Sequence, residues 1–134
     1  MSLLSSNTQR RTNLVILSLL LILTISVRIA FWLTTNTTLE DALITFKYAE
    51  NLAQGNGFVY NLGEHVLGST TPLWTIILAA LKSVTNFDII ASSKVLGIVF
   101  DCSTIAILYF TLIKISTRSI AIFFALLFCT NPDI

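Results

Sequence analysis

Polar and apolar positions divide the chain into four long apolar runs and one polar interruption. The first run, Leu14 to Leu33, is aliphatic and aromatic except at Ser18, Thr24, Ser26 and Arg28. As a helix it rises about 30 Å, the thickness of a bilayer's hydrocarbon core. Three more runs follow, at 71–85, 95–113 and 119–131. The pattern predicts an all-α membrane protein with about four transmembrane helices. The expected plan is a tail over 1–13, spans over 14–33, 71–85, 95–113 and 119–131, and a loop over 34–70. The whole is read as one N-terminal part of a polytopic membrane domain. The last run meets Asn131 and Pro132 after about a dozen apolar residues, which reads as the front end of a larger protein.

Composition agrees: 54% of the 134 residues are hydrophobic and 11% are charged, where a soluble domain carries roughly a quarter charged. A net charge of +1 without clustered Lys and Arg speaks against a nucleic-acid partner. Cys102 and Cys129 sit inside apolar runs and form neither a disulfide framework nor a zinc signature. Arg10 and Arg11 precede the first run as they would in a signal peptide, but the run is too long and no cleavage site follows Trp32, so it is read as a retained anchor. The two arginines place the N-terminus in the cytoplasm and the loop outside. Arg28 and Lys82 are expected to snorkel, and Asp101 to pair within a helical bundle, with a partner either in this chain or on a further helix. One conflict stays open. With four spans, Lys114 and Arg118 fall outside, against the positive-inside rule.

The polar interruption reads "EDALITFKYAENLAQGNGFVYN". Thr37 and Glu40 fit a capping box, and Gly55, Asn56 and Gly57 fit a helix end, so a helix of about four turns is expected at the membrane surface. At 100° per residue Glu40 shares a stripe with Lys47, Glu50, Asn51 and Gln54, a solvated face. Asp41 falls among Ile44, Thr45, Tyr48 and Leu52, where a carboxylate is costly unless paired or used. Asn61 to Gly63 reads as a tight turn, and Pro72 suits the first turn of the next helix. The lone histidine, His65, beside Glu64, suits either solvent or a phosphate. The triplet from Asn36 matches a glycosylation acceptor.

This stretch resembles the first extracytoplasmic loop of the type-C integral membrane glycosyltransferases that use lipid-linked sugars. The likeness is strongest to the branch of terminal arabinofuranosyltransferases and dolichyl-phosphate-mannose protein mannosyltransferases. It rests on Glu40, Asp41, Ala42, Ile44, Lys47, Tyr48, Ala49, Asn51, Leu52, Gly55, Gly57, Asn61, Gly63 and Glu64, continuing through "GSTTPLW", about 35 residues in all. Lys47 and His65 stand where relatives often have Arg, and the acid pair is Glu-Asp instead of Asp-Asp.

The resemblance implies transfer of a sugar from a polyprenyl-phosphate carrier to a hydroxyl of a glycan, lipid or protein acceptor at the cell membrane's outer side. Asp41 or Glu40 would be the general base, and Lys47, Tyr48, Asn61 and His65 would bind substrate. Two carboxylates also suggest, without establishing, a divalent cation such as Mg or Mn. Two other classes stay open: a non-catalytic truncated protein or bundle subunit, motivated by Lys94 and Asp101, and, more remotely, a transporter.

Overall fold

A computed structural model describes residues 2–35, 40–64 and 66–131, with side chains from residue 7 onward in the first segment. Thr37, the expected cap, and His65 lie outside the described residues. The described chain is all helical: α1 (Ser2–Thr35), α2 (Glu40–Ala53), α3 (Pro72–Thr85), α4 (Ile89–Ile115) and α5 (Arg118–Thr130).

Two of these helices are long and apolar enough to cross a membrane, Asn7–Thr35 within α1 and Ile89–Ile115. Fewer than a fifth of the residues in either are buried within the protein. A soluble protein's core helix would hide its apolar surface, whereas Leu19 and Ile22 of α1 and Val99 and Ile107 of α4 are all more than half exposed. That exposure suits lipid and marks a membrane protein. Two helices are long and apolar enough among the described residues, which does not confirm the expectation of about four spans. Helices do form at the other two places, but 13 or 14 residues rise only about 20 Å. The segment expected as a tail over 1–13 is helical from Ser2 and continuous with α1.

The breaks between helices have local causes. Asn86 ends α3 in the left-handed region at φ 56° and donates its N–H to the Lys82 carbonyl. The Asp88 carboxylate then accepts from the Ala91 N–H at 2.8 Å, capping α4. Thr117 caps α5 by accepting from the Ile120 N–H at 3.4 Å. Lys82 reaches the Asn86 carbonyl at 3.4 Å at the end of α3.

The residues form two compact units, one of 1–36 with 98–134 and one of 37–97. In the first, α5 presents Ala121, Ala125 and Cys129 to α1, all fully buried together with Leu20 and Ile105. Small residues four apart let two helix backbones approach closely. Thr24 donates to the Leu20 carbonyl and contacts the Cys129 Sγ at 3.1 Å.

The reading of Arg28 is corrected, whereas Asp101 pairs within a helical bundle as expected. Arg28 does not snorkel, and the partner of Asp101 lies in this chain. They pair directly, Nε to Oδ2 at 2.7 Å, and Arg28 also donates to the Asn131 carbonyl at 2.9 Å. Each looked like an isolated intramembrane charge because the partner lies far along the chain. Tyr109 donates to the Asn13 side chain at 3.4 Å. Advancing along α1 from Asn13 to Arg28 thus means going back along α4 from Tyr109 to Asp101, so these two helices run antiparallel. In the second unit α2 lies along α3, with Ala49, Leu78, Ala79 and Ile89 as its apolar centre.

Candidate functional site

The α2 helix starts at Glu40 with both acids in its first turn, where carboxylates favour the helix dipole's positive end. It ends as the glycines predicted. Gly55, at φ +82°, donates to the Leu52 carbonyl while Asn56 donates to Asn51, the paired bonds of a Schellman turn. The chain then returns along α2 to reach Pro72.

Tyr48 holds that return. It is buried, and its hydroxyl donates to the Val66 carbonyl at 2.6 Å and accepts from the Gly68 N–H at 2.8 Å. Its ring packs against Phe58 and Tyr60. Gly68 has no room for a side chain, since a Cβ would lie 2.9 Å from the Tyr48 hydroxyl. Asn51 does the same work nearer the helix end, donating to the Val59 and Tyr60 carbonyls at 2.8 Å each. Only 4% of Asn51 is exposed, so it does not belong to the solvated face where helical periodicity puts it. The returning loop covers that part of the face, which a helical wheel cannot show.

Both acids are exposed. Asp41 is not held among apolar neighbours: Thr45 and Tyr48 on its side of α2 are buried, but at the first turn the packing has not yet closed over the helix. Asp41 lines a cleft of about 210 Å³ together with Thr45, Phe46, Thr71, Trp74 and Ser93. Thr45 and Thr71 are bonded hydroxyl to hydroxyl at 3.2 Å, and Ser69 and Thr75 likewise at 3.0 Å. Hydroxyls and an indole beside a carboxylate are groups that suit a polyol with an apolar ring face. Of these residues, sequence reasoning singled out only Asp41. "GSTTPLW" belongs to the resemblance, but no role for its hydroxyls is legible without the fold that turns them toward α2.

Among the described residues, the other expected site residues do not converge on this cleft. Lys47 lies 3.5 Å from Glu50 on the exposed side of α2. Both line a different cleft of about 240 Å³, with Lys82 and Asp88. Asn61 is exposed and donates to the Glu64 carboxylate at 3.0 Å. Among the described residues no three of His, Cys, Asp and Glu gather as metal ligands. Glu40 and Asp41, about 100° apart on successive helical positions, do not by themselves establish a cation site.

Over 60 residues, 43% of this chain, the sequence is 37% identical to the terminal β-(1→2)-arabinofuranosyltransferase of Corynebacterium glutamicum. The match covers 9% of that protein's length, so the chain corresponds to a small part of it. No protein-family model matches the chain. No solved structure matches it. The partial likeness agrees with a glycosyltransferase-like membrane protein in general terms.

Proposed function

We propose that this chain forms part of a membrane glycosyltransferase that moves a sugar from a polyprenyl-phosphate carrier to an acceptor hydroxyl, with Asp41 as the general base. The observation that carries the reading is the exposed Asp41 lining one cleft with Thr45, Thr71, Ser93 and Trp74. The partial likeness to an arabinofuranosyltransferase supports the same class.

In this reading the acceptor, a hydroxyl of a glycan, lipid or protein, lies in the cleft. As its oxygen bonds to the anomeric carbon, its proton passes to the Asp41 carboxylate and the bond from that carbon to the carrier phosphate breaks. The phosphate leaves with the bonding electrons. Thr45, Thr71 and Ser93 orient sugar hydroxyls, and Glu40 keeps the rim negative. Tyr48 acts through the loop it holds. Lys47, on another face of α2, meets lipid phosphate at the headgroup plane, with Asn61 and His65 further contacts from the loop. The protein is a multi-pass protein of the cell membrane, its N-terminus cytoplasmic and its loop outside. No step runs through a metal ion.

The test is Asp41→Asn in the full-length protein, assayed with a panel of polyprenyl-phosphate sugars. A general base contributes about 10²- to 10⁴-fold, so transfer falls by at least a hundredfold while the protein still inserts and accumulates. Undiminished transfer removes Asp41 from the mechanism. The reading as a non-catalytic subunit loses part of its motive, because Asp101 finds its partner within this chain.

A further inference from the structure

We propose that the cleft between α1 and α4 beside Arg10 binds one anionic diacyl phospholipid, its phosphate on Arg10 and an acyl chain along Leu14 and Phe110. The inference rests on the chain being a membrane protein and stands apart from sugar transfer.

Charge singles out this end of the unit formed by 1–36 and 98–134. Tyr109 donates to Asn13, so the stretch of α1 that carries Arg10 and Arg11 lies beside the last turns of α4, where Lys114 stands. Arg118 belongs to the same end, within electrostatic reach of the Tyr109 hydroxyl. None of these four cations has an ion-pair partner among the described residues. The one described acid of the unit, Asp101, is taken by Arg28 more than two turns away from Tyr109. A basic pocket between membrane helices attracts an anionic headgroup.

The cleft has a lipid's own division into polar and apolar parts. It holds about 490 Å³ and is lined by Gln9, Arg10, Asn13, Leu14 and Phe110, a volume within the roughly 300–1,000 Å³ of small-ligand sites. The apolar run of α1 begins at Leu14. Arg10, four positions earlier, stands about 6 Å beyond the hydrocarbon edge, within the headgroup layer. Phe110, three positions before the last apolar residue of its run at Ile113, stands about 5 Å inside that edge. Leu14 is half exposed and Phe110 more than a third, which leaves both able to meet an acyl chain.

The polar groups select the kind of lipid. A guanidinium grips a phosphate through two N–H groups. Asn13 already accepts from Tyr109 through Oδ1, so its NH₂ is left to donate. Gln9 brings a second amide. Two amides beside the phosphate suit ester carbonyls and glycerol hydroxyls, which a polyprenyl phosphate does not carry. Arg11, one position on and about 100° around α1, does not line the cleft.

The test titrates the full chain, stripped of lipid in detergent, with phosphatidylglycerol and counts bound lipid by native mass spectrometry. Phosphatidylcholine, decaprenyl phosphate and soluble glycerol 3-phosphate are run beside it. Phosphatidylglycerol is expected to bind at least tenfold more tightly than each of the three. Arg10→Gln should weaken it about tenfold or more, the loss of a charged hydrogen bond, whereas Arg11→Gln should change it by less than about threefold. Equal losses for the two variants would mean diffuse attraction to a basic end and overturn the site. Tighter binding of decaprenyl phosphate or of glycerol 3-phosphate overturns the choice of ligand. Gln9→Ala keeps every charge and should weaken phosphatidylglycerol several-fold. Parental affinity in that variant overturns the site even if Arg10→Gln fails to accumulate.

Discussion

The Arg28–Asp101 pair makes a quantitative prediction. Asp101 lies at the middle of α4, and its partner's side chain is 8% exposed. Replacing Asp101 with Leu leaves the guanidinium buried without its counter-charge. Removing one partner of a buried pair is worth about 3–5 kcal/mol in soluble proteins, and a membrane's unfolded state recovers part of that by finding other partners. We expect a loss of about 3 kcal/mol for Asp101→Leu. Arg28→Leu should lose roughly 1 kcal/mol more, because the hydrogen bond to the Asn131 carbonyl goes as well. The double variant replaces both charges by apolar groups and should recover to within about 1 kcal/mol of the parent. The coupling energy of the cycle is then about 6 kcal/mol. Reversible unfolding in mixed micelles titrated with SDS, followed by circular dichroism, measures all four proteins. A coupling below about 0.5 kcal/mol would refute the view that each charge is tolerated because of the other.

Two further substitutions probe the packing that holds the site and the bundle. Gly68→Ala places a methyl 2.9 Å from the Tyr48 hydroxyl and should lower stability by about 1–3 kcal/mol. The same change in a Tyr48→Phe background should be clearly milder, since the obstructing oxygen is gone; proteolysis of the 54–71 loop reads both, and equal effects would contradict the close approach. Ala125→Leu forces about three more heavy atoms into the fully buried contact between α5 and α1 and should destabilise by about 1–3 kcal/mol. Leu at the exposed Phe124, one position away, should change stability by less than about 0.5 kcal/mol in the same SDS titration.

Helix positions were largely legible in the sequence, because apolar runs, Pro72 and Gly55 act locally. What each helix does was less so. The run at 71–85 is apolar on both faces, and apolar character alone cannot distinguish a face packed on α2 from one open to lipid. Asn51 misleads for a related reason: its period places it with Glu50 and Lys47, and only the returning loop shows that its amide is enclosed. Arg28 and Asp101 are each visible as anomalies, but nothing local to either names the other. At the candidate site the acids announce themselves by charge. Thr45, Thr71 and Ser93 do not, since a hydroxyl in an apolar stretch is ordinary until tertiary structure gathers several into the lining of one cleft with Asp41.

The separation of Arg28 from Asp101 along the chain has a consequence in time. A ribosome adding about 5–20 residues per second finishes α1 before α4 exists, so the arginine enters the bilayer roughly four to fifteen seconds ahead of its carboxylate. Arg28 is seven residues from the end of α1, about 10 Å, close enough for its long side chain to reach headgroups while it waits. Asp101, short and at mid-helix, has no such refuge, but it is made second and arrives when its counter-ion is already in place. The longer-reaching member of the pair is thus the one synthesised first, and the order of synthesis spares the membrane an unaccompanied carboxylate.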